Sequence, residues 1–160
     1  MEYNATVHYG ERNDTYTLSS HSKAIDLKKK ISEKIGIPVE EQALFNFFKF
    51  VSDDDCVDSL EKYSGRQLFF DLYKKDEVYN ITITIKDEDD SFDVKTLMIA
   101  DNMTIELIKS MILHKLYYSN NEEEYYLFSD SIELYEDKMA KDYNLREKGS
   151  ITVYCEPLLG

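Results

Sequence analysis

Two prolines in 160 residues are too few for an extended or low-complexity chain, and charged residues at 32% beside 42% apolar ones also argue against disorder. No apolar run approaches the ~18 residues that a membrane-spanning helix needs. The start of the chain, Met1 to His8, lacks the basic stretch followed by an apolar one that marks a secretory signal. A cytoplasmic location is therefore expected. The sequons at Asn4, Asn13, Asn80 and Asn102 are then expected to be chance. There are only two cysteines, Cys56 and Cys155. Both are expected as reduced thiols, Cys155 as a small apolar residue on a strand.

The familiar marks of catalysis and metal binding are also missing. There is no glycine-rich phosphate loop. His8, His21 and His114 have no ligand spacing. Asp53-Asp54-Asp55 and Asp87-Glu88-Asp89-Asp90 lack the spacing of a calcium loop and are expected as solvated turns. Cys56 follows three aspartates, the wrong electrostatic setting for a thiolate nucleophile. No catalytic, cofactor-binding or metal-binding residue is expected, and the chain does not read as an enzyme.

Positive charge is scarce in one half. Residues 1–75 carry 11 Lys/Arg against 13 Asp/Glu, net −2. Residues 76–160 carry 8 against 19, net −11. Such a surface repels nucleic acid and anionic membrane. It attracts basic protein surfaces, chiefly by raising the rate of encounter.

What is present is a pattern stated twice. Residues 4–9 and 15–19 alternate around the polar turn Gly10–Asp14, which predicts a hairpin. Ser22 offers a helix cap, and Ala24, Leu27, Ile31 and Ile35 follow at helical spacing. Gly36-Ile37-Pro38 predicts the helix exit. Residues 44–50 read as one strand and residues 67–73 as a closing strand. The order then recurs. Residues 79–86 alternate with Ile81, Ile83 and Ile85 on one face. After a turn at residues 87–90 comes a returning strand with Phe92, Val94 and Leu97. Thr104 caps a helix whose stripe is Ile105, Ile108, Ile112 and Leu116. Residues 120–124 form a polar loop, 125–128 and 132–134 strands, and 150–156 the closing strand. A helix laid on one face of a small mixed sheet buries one core. The expected fold is therefore α+β, with one domain over residues 1–75 and another over 76–160.

These residues resemble ubiquitin, twice. Residues 26–44 align without a gap to the ubiquitin helix and its exit, with Lys28, Ile31, Gly36, Ile37, Pro38, Gln42 and Leu44 of the same type. Thr104 to Ile112 is similar to the start of that helix, and Asp142 to Gly160 aligns to the ubiquitin C-terminus, with Asp142, Tyr143, Asn144 and Gly160 identical. The resemblance implies two consecutive ubiquitin-like β-grasp domains. It is closest in kind to the tandem ubiquitin-like modifiers, both the interferon-induced one of vertebrates and those encoded beside conjugation enzymes in bacterial antiphage operons. It implies a protein modifier with a place in antiviral defence. An activating enzyme would adenylate the Gly160 carboxylate and take it as a thioester, and a carrier enzyme would pass it to a target amine. A deconjugating protease would reverse the isopeptide bond.

The tail departs from the family's Leu-Arg-Leu-Arg-Gly-Gly. Here Pro157, Leu158 and Leu159 precede Gly160, so they are the expected tail-recognition residues, and enzymes that serve ubiquitin should reject them. Pro157 favours an extended tail. The resemblance also marks a partner-binding patch at Phe128, Thr152 and Tyr154. In the first domain Phe45, Phe69 and Asp71 are expected to match it, with Phe45 and Phe69 buried where the domains meet. Two other readings stay open: a noncovalent tandem adaptor that binds through patches or sheet edges, and a structural subunit of a larger complex.

Overall fold

The computed structural model describes residues 1–86, 92–115 and 123–157. Its contacts divide the chain into two compact units, Met1–Asp76 and Glu77–Gly160. Each contains one five-stranded sheet, and the class is α+β.

In the first unit, β1 (Glu2–Tyr9) and β2 (Arg12–Ser19) form a hairpin closed by Gly10 and Glu11. Gly10 has φ +61°, which a residue without Cβ adopts at little cost. Helix α1 (Ala24–Ile35) follows. Lys23, not Ser22, precedes its first turn: the Lys23 amide donates to the Asp26 carboxylate at 2.8 Å, while the Ser22 amide donates to the Ser19 carbonyl. The acidic group in the first turn also suits the helix dipole. Gly36 ends the helix at φ +80°, and its amide donates to the Ser32 carbonyl. The expected single strand over residues 44–50 is instead two, β3 (Gln42–Asn46) and β4 (Lys49–Val51). Phe47 and Phe48 turn the chain between them at φ 45° and 71°. Strand β5 (Gln67–Lys74) closes the sheet in the order β2-β1-β5-β3-β4, with β5 central and parallel to β1.

The second unit repeats this plan. Strands β6 (Val78–Lys86) and β7 (Phe92–Ala100) pair antiparallel. Helix α2 (Ile105–Lys115) is capped by Thr104, whose Oγ1 accepts the Leu107 amide at 3.1 Å. Strands β8 (Glu123–Ser129) and β9 (Ile132–Glu133) follow. A short helix α3 (Leu145–Lys148) leads into β10 (Ser150–Pro157). The sheet order is β7-β6-β10-β8-β9, with β10 central and parallel to β6. The turn expected at residues 87–90, the stripe residue Leu116 and loop residues 120–122 lie outside the described residues.

Each helix buries its apolar stripe on its own sheet. In the first unit Leu27 and Ile31 meet Leu18, Leu44 and Leu68, all at most 1% exposed. In the second, Ile105, Ile108 and Ile112 are buried together with Ile81, Ile83 and Ile85. Met111 joins that stripe and was not foreseen from the spacing. Each such side chain contributes about 1.5–3 kcal/mol relative to leaving it in water. Val94 and Leu97 sit on opposite faces of β7: Leu97 is buried and Val94 is 53% exposed. Among the described residues, no helix is long and apolar enough to cross a membrane.

Candidate functional site

Strand β10 brings the expected functional residues toward the end of the chain. Along it Ile151 and Val153 point into the core, and alternation turns Thr152 and Tyr154 to the outer face. Directly opposite Thr152 on the neighbouring strand stands Phe128, and opposite Tyr154 stands Tyr126. The structure therefore brings Phe128, Thr152 and Tyr154 together. The Phe128 and Tyr154 rings meet edge to face, with centroids 5.3 Å apart and planes at 86°. Phe128 is half-buried and Tyr154 is 38% exposed.

These three residues line a shallow concavity of about 670 Å³, with Tyr126, Asp130, Ser131 and Ser150 completing its wall. Asp130 and Ser131 belong to the turn between β8 and β9, where both have positive φ, 50° and 68°. Such two-residue turns require that conformation, and Asp is among the residues that tolerate it. The Tyr126 hydroxyl donates to the Glu124 carboxylate. The Lys86 ammonium lies 5.7 Å from the centre of the Tyr154 ring. Sequence reasoning did not foresee Tyr126, Asp130 or Lys86 at this face; period-2 alternation from Phe128 would have reached Tyr126 and Asp130.

The other end of β10 is the tail. The strand runs through Pro157, whose backbone lies opposite Glu123. A proline fits a strand terminus, where its missing N–H costs least. Leu158, Leu159 and Gly160 lie outside the described residues.

The first unit presents its matching face differently. Sheet register puts Asp71, not Phe69, directly opposite Phe45, as Thr152 stands opposite Phe128. Tyr73 then occupies the place of Tyr154, and it meets Phe45 edge to face at 5.5 Å. Phe45 is 3% exposed, whereas Phe69, expected to be buried as well, is 38% exposed and packs on Tyr63 at 5.0 Å. Phe69 fails to bury because it points away from the helix, between the inward Leu68 and Phe70. The crowded sheet face pushes the exposed Asp71 carboxyl up, and the nearby His8 opposes that shift.

Polar anchors hold both faces in place. Lys28 is 2% exposed, and its ammonium donates to Asp53 at 2.6 Å. Gln42 is fully buried, and its amide donates to the Lys28 and Ile37 carbonyls at 2.9 Å each. This ties the strand to the middle of α1 and to the segment just after it. In the second unit the Tyr143 hydroxyl accepts the Tyr135 amide at 3.0 Å, and the Asp142 carboxylate accepts the Met139 amide at 2.9 Å. Asn144 takes the left-handed conformation, φ 53°, that turns the chain toward α3. Cys155 is buried and Cys56 exposed. Asp53 and Asp55 are engaged structurally, Asp53 with Lys28 and Asp55 with the Ser52 amide.

No family profile matches the sequence. No curated protein matches it either. Among solved structures, a crystal structure of ATBAG1 in complex with HSP70 is similar over 45% of this chain and 40% of that one, at 18% identity and a TM-score of 0.41. The chain spans less than half of that protein's length, and a likeness at this level bears on neither function nor partner.

Proposed function

We propose that the chain is a tandem ubiquitin-like protein of the cytoplasm, joined through the Gly160 carboxylate to target amines by separate activating and carrier enzymes and released by a protease, with a role in antiviral defence. The observation that carries this reading is where the residues of the ubiquitin resemblance fall. Lys28, Gly36, Ile37 and Gln42 form one connected set: Gln42 bridges the Lys28 and Ile37 carbonyls across the left-handed exit at Gly36. Asp142, Tyr143 and Asn144 form a second set, each with a backbone task in the turn before β10. Shared residue types at structurally demanding positions support a common fold more strongly than shared apolar strands do.

In this reading the chain supplies an electrophilic carbonyl and its partners supply the nucleophiles. It needs no catalytic group, cofactor or metal of its own. Pro157, Leu158 and Leu159 are the recognition residues that separate its enzymes from those of ubiquitin. The test is the adduct pattern. Cells producing the chain should contain target proteins with a lysine mass increment ending in the Leu159-Gly160 remnant, and deletion of Gly160 should abolish it. An unchanged pattern after that deletion ends the modifier reading.

A second reading, a noncovalent adaptor, is favoured by the concavity itself. Phe128, Thr152 and Tyr154 form an accessible aromatic face, and aromatic residues dominate protein–protein hot spots. A partner held there should be lost with Phe128→Ala and kept on deletion of Gly160.

A further inference from the structure

We propose that the concavity on the outer face of the second sheet binds an arginine side chain carried on a basic segment of a partner protein. The proposal deepens the adaptor reading of the Phe128–Thr152–Tyr154 face and does not depend on conjugation at Gly160.

The chemistry of the wall points to a donor-only cation. Its aromatic members, Tyr126, Phe128 and Tyr154, present ring surface, and its polar members are the Asp130 carboxylate and the hydroxyls of Ser131, Ser150 and Thr152. Among the described residues, none that lines it is basic. A guanidinium has five N–H donors, no acceptor, and a flat face that stacks on aromatic rings. The wall offers both halves of that match: π-faces for the plane and a carboxylate with hydroxyls for the edge.

The charge of this half supports a cationic occupant. The Lys86 ammonium, 5.7 Å from the Tyr154 ring, is not among the residues of the wall. The half of the chain that carries the concavity has 8 Lys/Arg against 19 Asp/Glu, so the surrounding field draws basic segments toward it. On the matching face of the first unit Phe45 is buried, at 3% exposure, where Phe128 is half-buried.

The test uses the full chain and three synthetic peptides: acetyl-Gly-Arg-Gly-Arg-Gly-amide and its lysine and glutamine counterparts. Amide resonances of residues 126–131 and 150–154 should shift saturably with the arginine peptide, more weakly with the lysine peptide, and not with the glutamine peptide. Tyr154→Leu and Asp130→Asn should each weaken arginine-peptide binding roughly threefold or more, and Tyr154→Phe should retain it. Circular dichroism of each variant checks that it is folded. Shifts scattered over the acidic surface and indifferent to Tyr154→Leu overturn the proposal, and so does an absence of saturable shifts. A chain lacking Gly160 should bind the peptide as before. Loss of adducts in that chain and loss of peptide binding in Tyr154→Leu therefore report on different claims.

Discussion

The fifth residue of each helix is a lysine, and the two lysines meet different fates. Lys28 of α1 is buried, its side chain 3% exposed, and it reaches Asp53 at 2.6 Å. Lys109 of α2 reaches Glu136 at 3.0 Å, with a partly buried lysine side chain and an exposed glutamate, 27% and 56% exposed. One fold thus carries the same pair as a buried anchor and as a surface contact. Burial, more than the presence of an ion pair, is what should decide how much such a pair matters. In the first unit it is joined to Gln42, which sews β3 to the helix. In the second unit the strand residue at the Gln42 position is Tyr125, and polar anchoring falls instead to the Asp142–Asn144 turn.

The sharpest way to break that comparison is to remove each acid. Asp53→Ala leaves the Lys28 ammonium buried without its carboxylate. The cost should be about 2–4 kcal/mol, below the full buried-pair value because Asp53 is 51% exposed. Glu136→Ala should cost less than about 1 kcal/mol. Urea unfolding, resolved by amide exchange in each unit, measures both. Equal losses at the two sites would mean that burial is not what separates them.

A smaller loss is expected from Gln42→Leu. It preserves apolar volume but removes two donors to buried carbonyls, and should cost about 1–2 kcal/mol in the first unit. The amide exchange of Ile37 and Gly36 should quicken with it, since the helix exit loses its tie to β3. An unchanged exit would show that Gly36 and Pro38 hold it unaided.

Helices, hairpins and the repeat were legible because each has a local cause: spacing of apolar residues, the Gly36 exit, the Thr104 cap. The Phe47–Phe48 turn was not legible. Nothing in Phe-Phe signals a turn, and only the pairing of Asn46 with Lys49 forces both residues to positive φ. The burial of Lys28 was equally hidden, since a lysine on a helix reads as a solvent-facing residue until its carboxylate partner is placed in space. For the candidate site, the ubiquitin resemblance marked Phe128, Thr152 and Tyr154, and pairing of β10 with β8 brings them together. The first-unit counterpart was misread by two residues, because register depends on pairing that spacing along one strand cannot reveal.

The two turns at matching positions offer a change of opposite sign. Asp130–Ser131 occupies its left-handed turn with residues suited to it better than Phe47–Phe48. Left-handed backbone costs roughly 1–2 kcal/mol per residue without glycine. Replacing Phe47-Phe48 by Asn-Gly should therefore raise the first unit's stability by about 1 kcal/mol, after some loss of ring contact. A fall in the unfolding midpoint would show that packing of the rings outweighs the strain.

The smallest effect at neutral pH concerns Tyr3 and Tyr79, which occupy matching positions on β1 and β6. Each has a cation over its ring, Lys62 at 5.3 Å and Arg146 at 4.5 Å. The Tyr3 hydroxyl donates to Asp58, and that bond is the main cause raising its pKa. The Tyr79 hydroxyl is buried and makes no well-formed hydrogen bond among the described residues, although Asp101 lies near enough to act on it. Burial first, and then the Asp101 charge, pushes its pKa from 10.0 up to about 12, against the opposing Arg146. Between those values the unfolded chain releases a proton that the folded one keeps. Rising pH therefore favours unfolding: this contribution is fully present below pH 10.0 and is lost as pH climbs through about 12. Tyr79→Phe should leave neutral-pH stability unchanged or slightly higher, and flatten the alkaline decline of the second unit in that window. Tyr3→Phe should lower first-unit stability already at pH 7, because it removes a bond. Stability curves for both variants from pH 7 to 12, compared with the parent chain, separate a poorly bonded hydroxyl from a well bonded one. If Tyr79→Phe destabilises at pH 7 as Tyr3→Phe does, Asp101 holds the Tyr79 hydroxyl as firmly as Asp58 holds that of Tyr3, and the contrast between the two tyrosines disappears.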